Sequence, residues 1–284
     1  MTTQRIDNQA GQRIPANWHP ANTPRAHLLF MPALGTPAGF YDPLARVLAQ
    51  AGISTLVMEH RGIGESPLRA SRATDFGFAE VIRDDIPALI HWLQEQAPEL
   101  PLLLGGHSLG GHYSAIMSGR LPADIDGVVL IACGSPWIGA YRGKTGLQLR
   151  LLCMLIPIFN RLFGHYPGDR IGFGGREART LMSDWLALAR TNVYQASGLQ
   201  DDLDGPIRDY AGPVLSVRLA DDSHAPETGM TAVTDKFRRV EKIIIGADEL
   251  GDRADHYRWA RTPEAVVRHI LVWLANHGRT RRLG

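Results

Sequence analysis

Ser108 lies in Gly106-His107-Ser108-Leu109-Gly110, between an apolar run from Leu102 to Leu104 and a segment from His112 to Arg120 that reads as a helix. A serine with glycines two residues to either side fits a very sharp strand-to-helix turn. Strand and helix nearly touch there, so only small neighbours fit. Such a turn strains the serine backbone and pushes the hydroxyl into the open. The helix behind it aims free N–H groups and the positive end of its dipole at the reacting oxygen. The chemistry implied is nucleophilic attack by Ser108 on a carbonyl carbon.

A serine hydroxyl is a poor nucleophile at neutral pH. It needs a base within hydrogen-bond reach and a carboxylate to orient that base. In an open parallel sheet, reactive groups collect at the carboxyl ends of the strands. Asp221 and Asp222 follow the apolar run from Pro213 to Leu219, and His256 follows the run from Glu241 to Gly246. The order Ser, Asp, His suits a nucleophile elbow. Asp222 is preferred to Asp221 as the orienting carboxylate, and His256 is the expected base. His269 and His277 belong to the last helix, His224 is held in the turn into Pro226, and the His107 side chain is expected to aim away from Ser108. Two N–H donors must meet the developing oxyanion. They are assigned to Leu109, after the nucleophile, and to Leu34 in the turn Pro32-Ala33-Leu34-Gly35.

The elements that would hold these groups follow from the pattern of apolar residues. Buried strands are expected over His27 to Met31, Ile53 to Met58, Leu102 to Leu104 and Gly127 to Cys133. These are apolar throughout rather than alternating, as in strands covered on both faces. Helices are expected over Gly39 to Ala51, Phe78 to Gln96 (with Pro87 kinking or dividing it), Pro226 to Phe237 and Pro263 to Asn276. Gln4 to Ile6 and Gln12 to Ile14 read as short edge strands. The alternation predicts an α/β fold, a mostly parallel sheet with helices on both faces. It breaks between Gly134 and Gly212, where helical patterns occur over Gly146 to Phe163 and Thr180 to Tyr194 but no good strand. The division expected is a core of residues 1–135 and 212–284 with a helical cap at 136–211 over an apolar pocket.

Composition excludes several classes. With 284 residues, 44% of them hydrophobic, the chain has material for one large domain and an insertion. A formal net charge of +1 gives no reason to expect nucleic acid as a partner. Cys133 and Cys153 lack metal-site spacing and read as buried thiols of a cytoplasmic protein. Met1 to Arg13 has no apolar core of a secretory signal. No apolar stretch is expected to span a membrane, because Arg150, Pro157 and Asn160 interrupt the most apolar one, although weak peripheral contact with a membrane surface is compatible with it. No phosphate loop, zinc motif or dinucleotide fingerprint occurs, so neither cofactor nor metal is expected. Asp201-Asp202-Leu203-Asp204-Gly205 lacks the spacing of a calcium loop.

The chain resembles the α/β-hydrolases, and within them the monoglyceride-lipase and serine-aminopeptidase group. The resemblance rests on the elbow, on Pro32-Ala33-Leu34-Gly35 followed by Tyr41 and Leu44 to Leu48, and on Glu59-His60-Arg61-Gly62-Ile63-Gly64-Glu65-Ser66. It departs from the group's pattern in Pro32-Ala33, which replaces His-Gly, and in Glu59, which replaces Asp. The resemblance implies the α/β-hydrolase fold and places the acid at Asp222. The function expected is hydrolysis of a hydrophobic carboxylic ester by Ser108, His256 and Asp222. Thioester cleavage and acyl transfer by the same groups stay open, as does a hydrolase-like scaffold used for binding alone. The expected partner is a small-molecule ester.

Overall fold

The computed structural model of the chain describes residues 1–277; the expected core runs to 284, so its end lies outside the described residues. The buried apolar runs form the middle of an eight-stranded sheet. Its strands are β1 (Thr2–Asp7), β2 (Arg13–His19), β3 (Ala26–Met31), β4 (Ile53–Met58), β5 (Leu102–His107), β6 (Gly127–Ile131), β7 (Val214–Leu219) and β8 (Glu241–Ile245). Their order across the sheet is β1-β2-β4-β3-β5-β6-β7-β8. From β4 to β8 the pairs are parallel, whereas β1 and β2 pair antiparallel with each other and β2 antiparallel with β4. β3, β4, β5 and β6 are buried along their whole length, while β8 is largely exposed at the edge.

Side chains that alternate along the buried strands feed two cores, one on each face of the sheet. Leu29, Leu104 and Leu130 pack with α2 (residues 78–96) and α3 (Leu109–Arg120). Leu28, Phe30 and Val129 pack with α1 (Asp42–Gln50) and α7 (Glu264–His277), whose Trp273 is 1% exposed. A further helix, α6 (Glu227–Thr234), precedes β8.

The helical stretch is divided at Pro87 as expected, into α-helix over Phe78–Glu80 and Ile86–Gln96 with a turn of another kind between them. Residues Val81–Asp85 form a π-helical turn just before the proline. Proline lacks an N–H and its ring crowds the carbonyl four residues back, and the wider turn removes that conflict. The same turn turns Asp85 inward, where it is 1% exposed. Asp85 accepts a two-pronged hydrogen bond from the Arg61 guanidinium at 2.6 and 2.7 Å, and one from the Asn8 amide at 2.6 Å. Asn8 Oδ1 in turn accepts the N–H groups of Ala10 and Gln12 and shapes the β1–β2 turn. The hairpin is therefore stapled to the core, and both strands are longer than the sequence suggests.

Between β6 and β7 lie α4 (Gly143–Phe163) and α5 (Arg179–Thr191). The expectation of no strand here needs a correction. Tyr166–Pro167 pairs antiparallel with Arg176–Glu177, an extended bridge too short to show as an apolar run. The expectation that no stretch spans a membrane keeps its outcome but not its reason, since Pro157 does not interrupt the most apolar helix. Helix α4 runs unbroken through Pro157 for 21 residues, and by length and composition alone it is long and apolar enough to cross a membrane. Leu147, Leu151, Met154, Ile158 and Leu162 form an exposed stripe at helical spacing, with Leu147 and Met154 each 68% exposed.

Replacing Asp85 with alanine leaves the nearly buried Arg61 charge and the Asn8 amide without their shared partner. The expected cost is about 3–5 kcal/mol, read as a lower urea midpoint with an unchanged slope.

Candidate active site

Because β3 and β5 to β8 run in the same direction, the loops at their carboxyl ends gather on one edge of the sheet. The chain bends abruptly after β5. Ser108 has φ 51° and ψ −113°, a conformation an L-residue rarely holds, and its N–H donates to the Ile131 carbonyl at 3.0 Å. Helix α3 begins at Leu109, three residues earlier than its sequence pattern suggests. A side chain at Gly106 would run into the Gly110 carbonyl, and one at Gly110 into the Met31 carbonyl. The two glycines are therefore required by close approach of backbone to backbone.

His256 and Asp222 meet behind the cavity. His256 Nδ1 lies 2.6 Å from Asp222 Oδ2, with both residues 5% exposed. Asp222 Oδ1 accepts the N–H groups of His224 at 2.8 Å and Ala225 at 3.1 Å. Burial alone would raise the Asp222 pKa, but the hydrogen bond and charge of His256 with those two N–H groups outweigh it and hold the carboxyl below its usual range. Asp221 faces elsewhere and brackets Ala254, accepting that residue's N–H and donating to its carbonyl. No hydrogen bond joins Ser108 Oγ to His256 among the described residues; both side chains open onto one cavity of about 360 Å³.

Leu34 and Leu109 line that cavity. Their N–H groups donate to no acceptor among the described residues, so both remain free for a ligand. The turn carrying Leu34 is held on several sides. Ala33 N–H donates to Tyr41 Oη at 3.0 Å, and His60 Nε2 donates to the Pro32 carbonyl at 2.8 Å. Burial lowers the His60 pKa to about 4, so the ring is neutral at ordinary pH. Tyr41 Oη also meets His107 Nδ1 at 2.7 Å. The His107 ring does turn from the open side of Ser108, but it packs against His256 with 4.6 Å between ring centres. Burial and then the neighbouring His256 push its pKa down. Tyr41 thus links the Leu34 turn to the loop bearing His256 through one buried imidazole.

The cavity has two kinds of wall. Leu149, Leu152, Ile171, Phe173 and Trp185 supply apolar surface from the segment between β6 and β7. Thr145, Gln148, His224 and Tyr257 supply polar groups. His112 lines it too, one helical turn beyond Ser108. Sequence reasoning passed over His60, His112 and Glu177. A buried histidine on a strand end or helix looks like any other in sequence, and its partners come from distant segments. Among the described residues no group of three His, Cys, Asp or Glu is arranged to hold a metal ion. Cys133 and Cys153 are buried and unpaired.

The family described as serine aminopeptidase, S33 (Hydrolase_4) matches residues 22–165, just over half of the chain, including the Leu34 turn and the elbow. The chain belongs to that family. Monoglyceride lipase from Mus musculus is 31% identical over 187 residues, 64% of this chain and 59% of that enzyme. The Rattus norvegicus monoglyceride lipase is 30% identical over 115 residues, 40% of this chain and 37% of the enzyme. Monoacylglycerol lipase from Mycolicibacterium smegmatis is 27% identical over 149 residues, 50% of this chain and 51% of that enzyme. The chain therefore matches less than two thirds of the length of each of these relatives. Among solved structures, the alpha/beta hydrolase GrgF from Penicillium superposes with a TM-score of 0.65 at 16% identity, covering 97% of this chain and 98% of that one. E-2-(acetamidomethylene)succinate hydrolase superposes with a TM-score of 0.61 at 20% identity, covering 96% and 99%. The fold is that of the α/β-hydrolases.

Glu177 is 2% exposed and its Oε1 accepts the Gly175 N–H at 2.8 Å, under the glycine-rich strap that abuts Leu34 and Gly35. Burial raises its pKa to about 7. The native state therefore holds this proton more tightly than the unfolded chain, and the associated stability is lost as pH rises from 4.5 through 7. Glu177→Gln should be more stable than the wild type by up to about 3 kcal/mol at pH 8 and indistinguishable from it at pH 4, in urea titrations at both values.

Proposed function

We propose that the chain is a serine hydrolase that cleaves carboxylic esters of an apolar acyl chain with a small hydroxylated alcohol. The observation that carries this reading is Ser108, strained at the head of α3, sharing one cavity with a His256 already oriented by Asp222. Ser108 Oγ attacks the ester carbonyl while His256 Nε2 takes its proton. Asp222 accepts the His256 Nδ1–H, fixes the tautomer and balances the imidazolium charge. The N–H groups of Leu34 and Leu109 receive the oxyanion. Collapse returns the proton to the leaving alcohol, and water repeats the sequence to free the acid. The contact between Ser108 and His256 closes as substrate settles.

The substrate class rests on the walls. Insertion residues 136–211 act as a cap whose apolar side chains take the acyl chain, and Thr145, Gln148, His224 and Tyr257 face the alcohol. The relatives named monoglyceride and monoacylglycerol lipases point to the same kind of ester. Helix α4 supports delivery from a lipid surface. Its inner face lines the cavity through Leu149 and Leu152, its outer face is the exposed stripe, and its only charges are Lys144, Arg150 and Arg161. An apolar stripe beside cations with no acid suits shallow contact with an anionic bilayer. The site of action in this reading is the cytoplasmic side of such a membrane.

The test is hydrolysis of p-nitrophenyl esters of graded acyl length, with Ser108→Ala alongside. The wild type should prefer medium or long acyl chains, and the variant should lose roughly 10⁴-fold or more in kcat. Equal rates would remove Ser108 from the chemistry. Flotation with phosphatidylglycerol vesicles should recover the wild type but much less of Leu151→Glu/Met154→Glu; equal recovery would exclude α4 as the contact.

A further inference from the structure

The strongest unassigned feature is the side of the cavity where the chain enters the insertion and where it leaves the insertion's two helices, α4 and α5. The inbound connection is Gly134 and Ser135, just after β6. The other segment is Asn192 and Tyr194, just after α5, where the chain leaves the two helices of the insertion. Both converge on one buried ring. His112 Nδ1 lies 2.7 Å from Tyr194 Oη, and His112 Nε2 lies 3.2 Å from the Gly134 carbonyl. A carbonyl only accepts, so Nε2 carries the proton and Nδ1 accepts from the tyrosine hydroxyl. Both nitrogens of a neutral imidazole are satisfied in this way.

Around that ring the two segments are tied again. Ser135 Oγ–H donates to Asn192 Oδ1 at 2.7 Å. Asn192 ends α5 in the left-handed region, at φ 58°. Lys236 Nζ donates to the Asn192 carbonyl at 2.5 Å and to Asp204 Oδ1 at 2.7 Å, and it lies 4.9 Å from the centre of the Tyr194 ring. Asp204 Oδ1 also accepts the Tyr194 N–H at 3.0 Å. The knot reaches the nucleophile by a short path, because the His112 N–H donates to the Ser108 carbonyl at 3.3 Å. At its other end is α5, which carries Trp185 into the cavity wall.

We infer that His112 is a positioning residue that pins the segments flanking α4 and α5 to the helix bearing Ser108, and so sets where the acyl wall stands relative to the nucleophile. The imidazole suits this role because it offers an acceptor and a donor on diverging edges of one rigid ring. Phenylalanine keeps the bulk and loses both bonds. Tyr194→Phe keeps the edge contact between the rings, at 5.6 Å between centres, and loses one. The role rests on the ester-hydrolase reading only for its effect on substrate.

The experiment compares wild type, Tyr194→Phe and His112→Phe by three readouts: hydrogen exchange of segments 134–138 and 192–196, labelling of Ser108 by a fluorophosphonate, and kinetics on p-nitrophenyl acetate and decanoate. Loss of the pin should speed exchange in both segments together in either variant, with the central strands unchanged. Tyr194→Phe should label Ser108 within about twofold of the wild-type rate. Its KM for decanoate should rise at least fivefold with little change for acetate. Exchange unchanged in both segments, or faster in only one, overturns the inference. So does an equal loss on both esters, which marks an ordinary core residue. If neither ester is turned over by the wild type, the ester reading fails, while exchange and labelling still decide the pin. If His112→Phe does not fold, Tyr194→Phe carries the test alone.

Discussion

Everything at the candidate site depends on how closely β5 and α3 approach one another. The strand delivers Gly106 and the helix returns Gly110 and Gly111 with no room for a side chain at the first two. The chain must reverse within one residue, so Ser108 takes positive φ. That conformation costs on the order of 1–3 kcal/mol, and the two packed cores on either side of the sheet hold it in place. The exposed hydroxyl, the free N–H of Leu109 and the aim of the helix dipole all follow from that one contact. A wider turn would relax the serine and lose all three.

Behind the elbow, burial does a second job. His60, His107 and His112 lie around Ser108, and removal from water lowers the pKa of each. They behave as neutral hydrogen-bonding rings, and each ties a different segment to the core: His60 the Leu34 turn, His107 the Tyr41 link to His256, His112 the insertion. Asp222, by contrast, is kept charged by three donors. The neighbourhood thus holds one fixed negative charge 2.6 Å from His256 Nδ1, among uncharged rings.

Much of this was legible in the sequence for a physical reason. Strands buried on both faces must be apolar throughout, so β3 to β6 announce themselves, and parallel strands must present their carboxyl ends together. Those constraints lead from Ser108 to Asp222 and His256, which the structure places 2.6 Å apart. Local interactions were legible too, such as the glycines of the elbow. Less visible were features decided by distant partners. Pro87 shows in the sequence that the helix is divided, but nothing local reveals that the division is a π-turn. The bridge between Tyr166 and Arg176 is too short for a period to show. Helix α4 carries three cationic residues and a proline, and reads as interrupted although its backbone is not. His112 needs Tyr194 and Gly134, far along the chain, before its role has any meaning.

The convergence of Gly134 and Tyr194 on one imidazole also brings together the two ends of the stretch that carries α4 and α5. A stretch whose ends meet in this way can change in length or content without stretching β6 away from β7. The edge bearing Ser108 and the sheet order would be unaltered, and only the cavity wall from α4 and α5 would change. In a fold arranged this way, a change of cavity lining can fall on one replaceable stretch of chain, while the strained turn that holds Ser108 stays as it is.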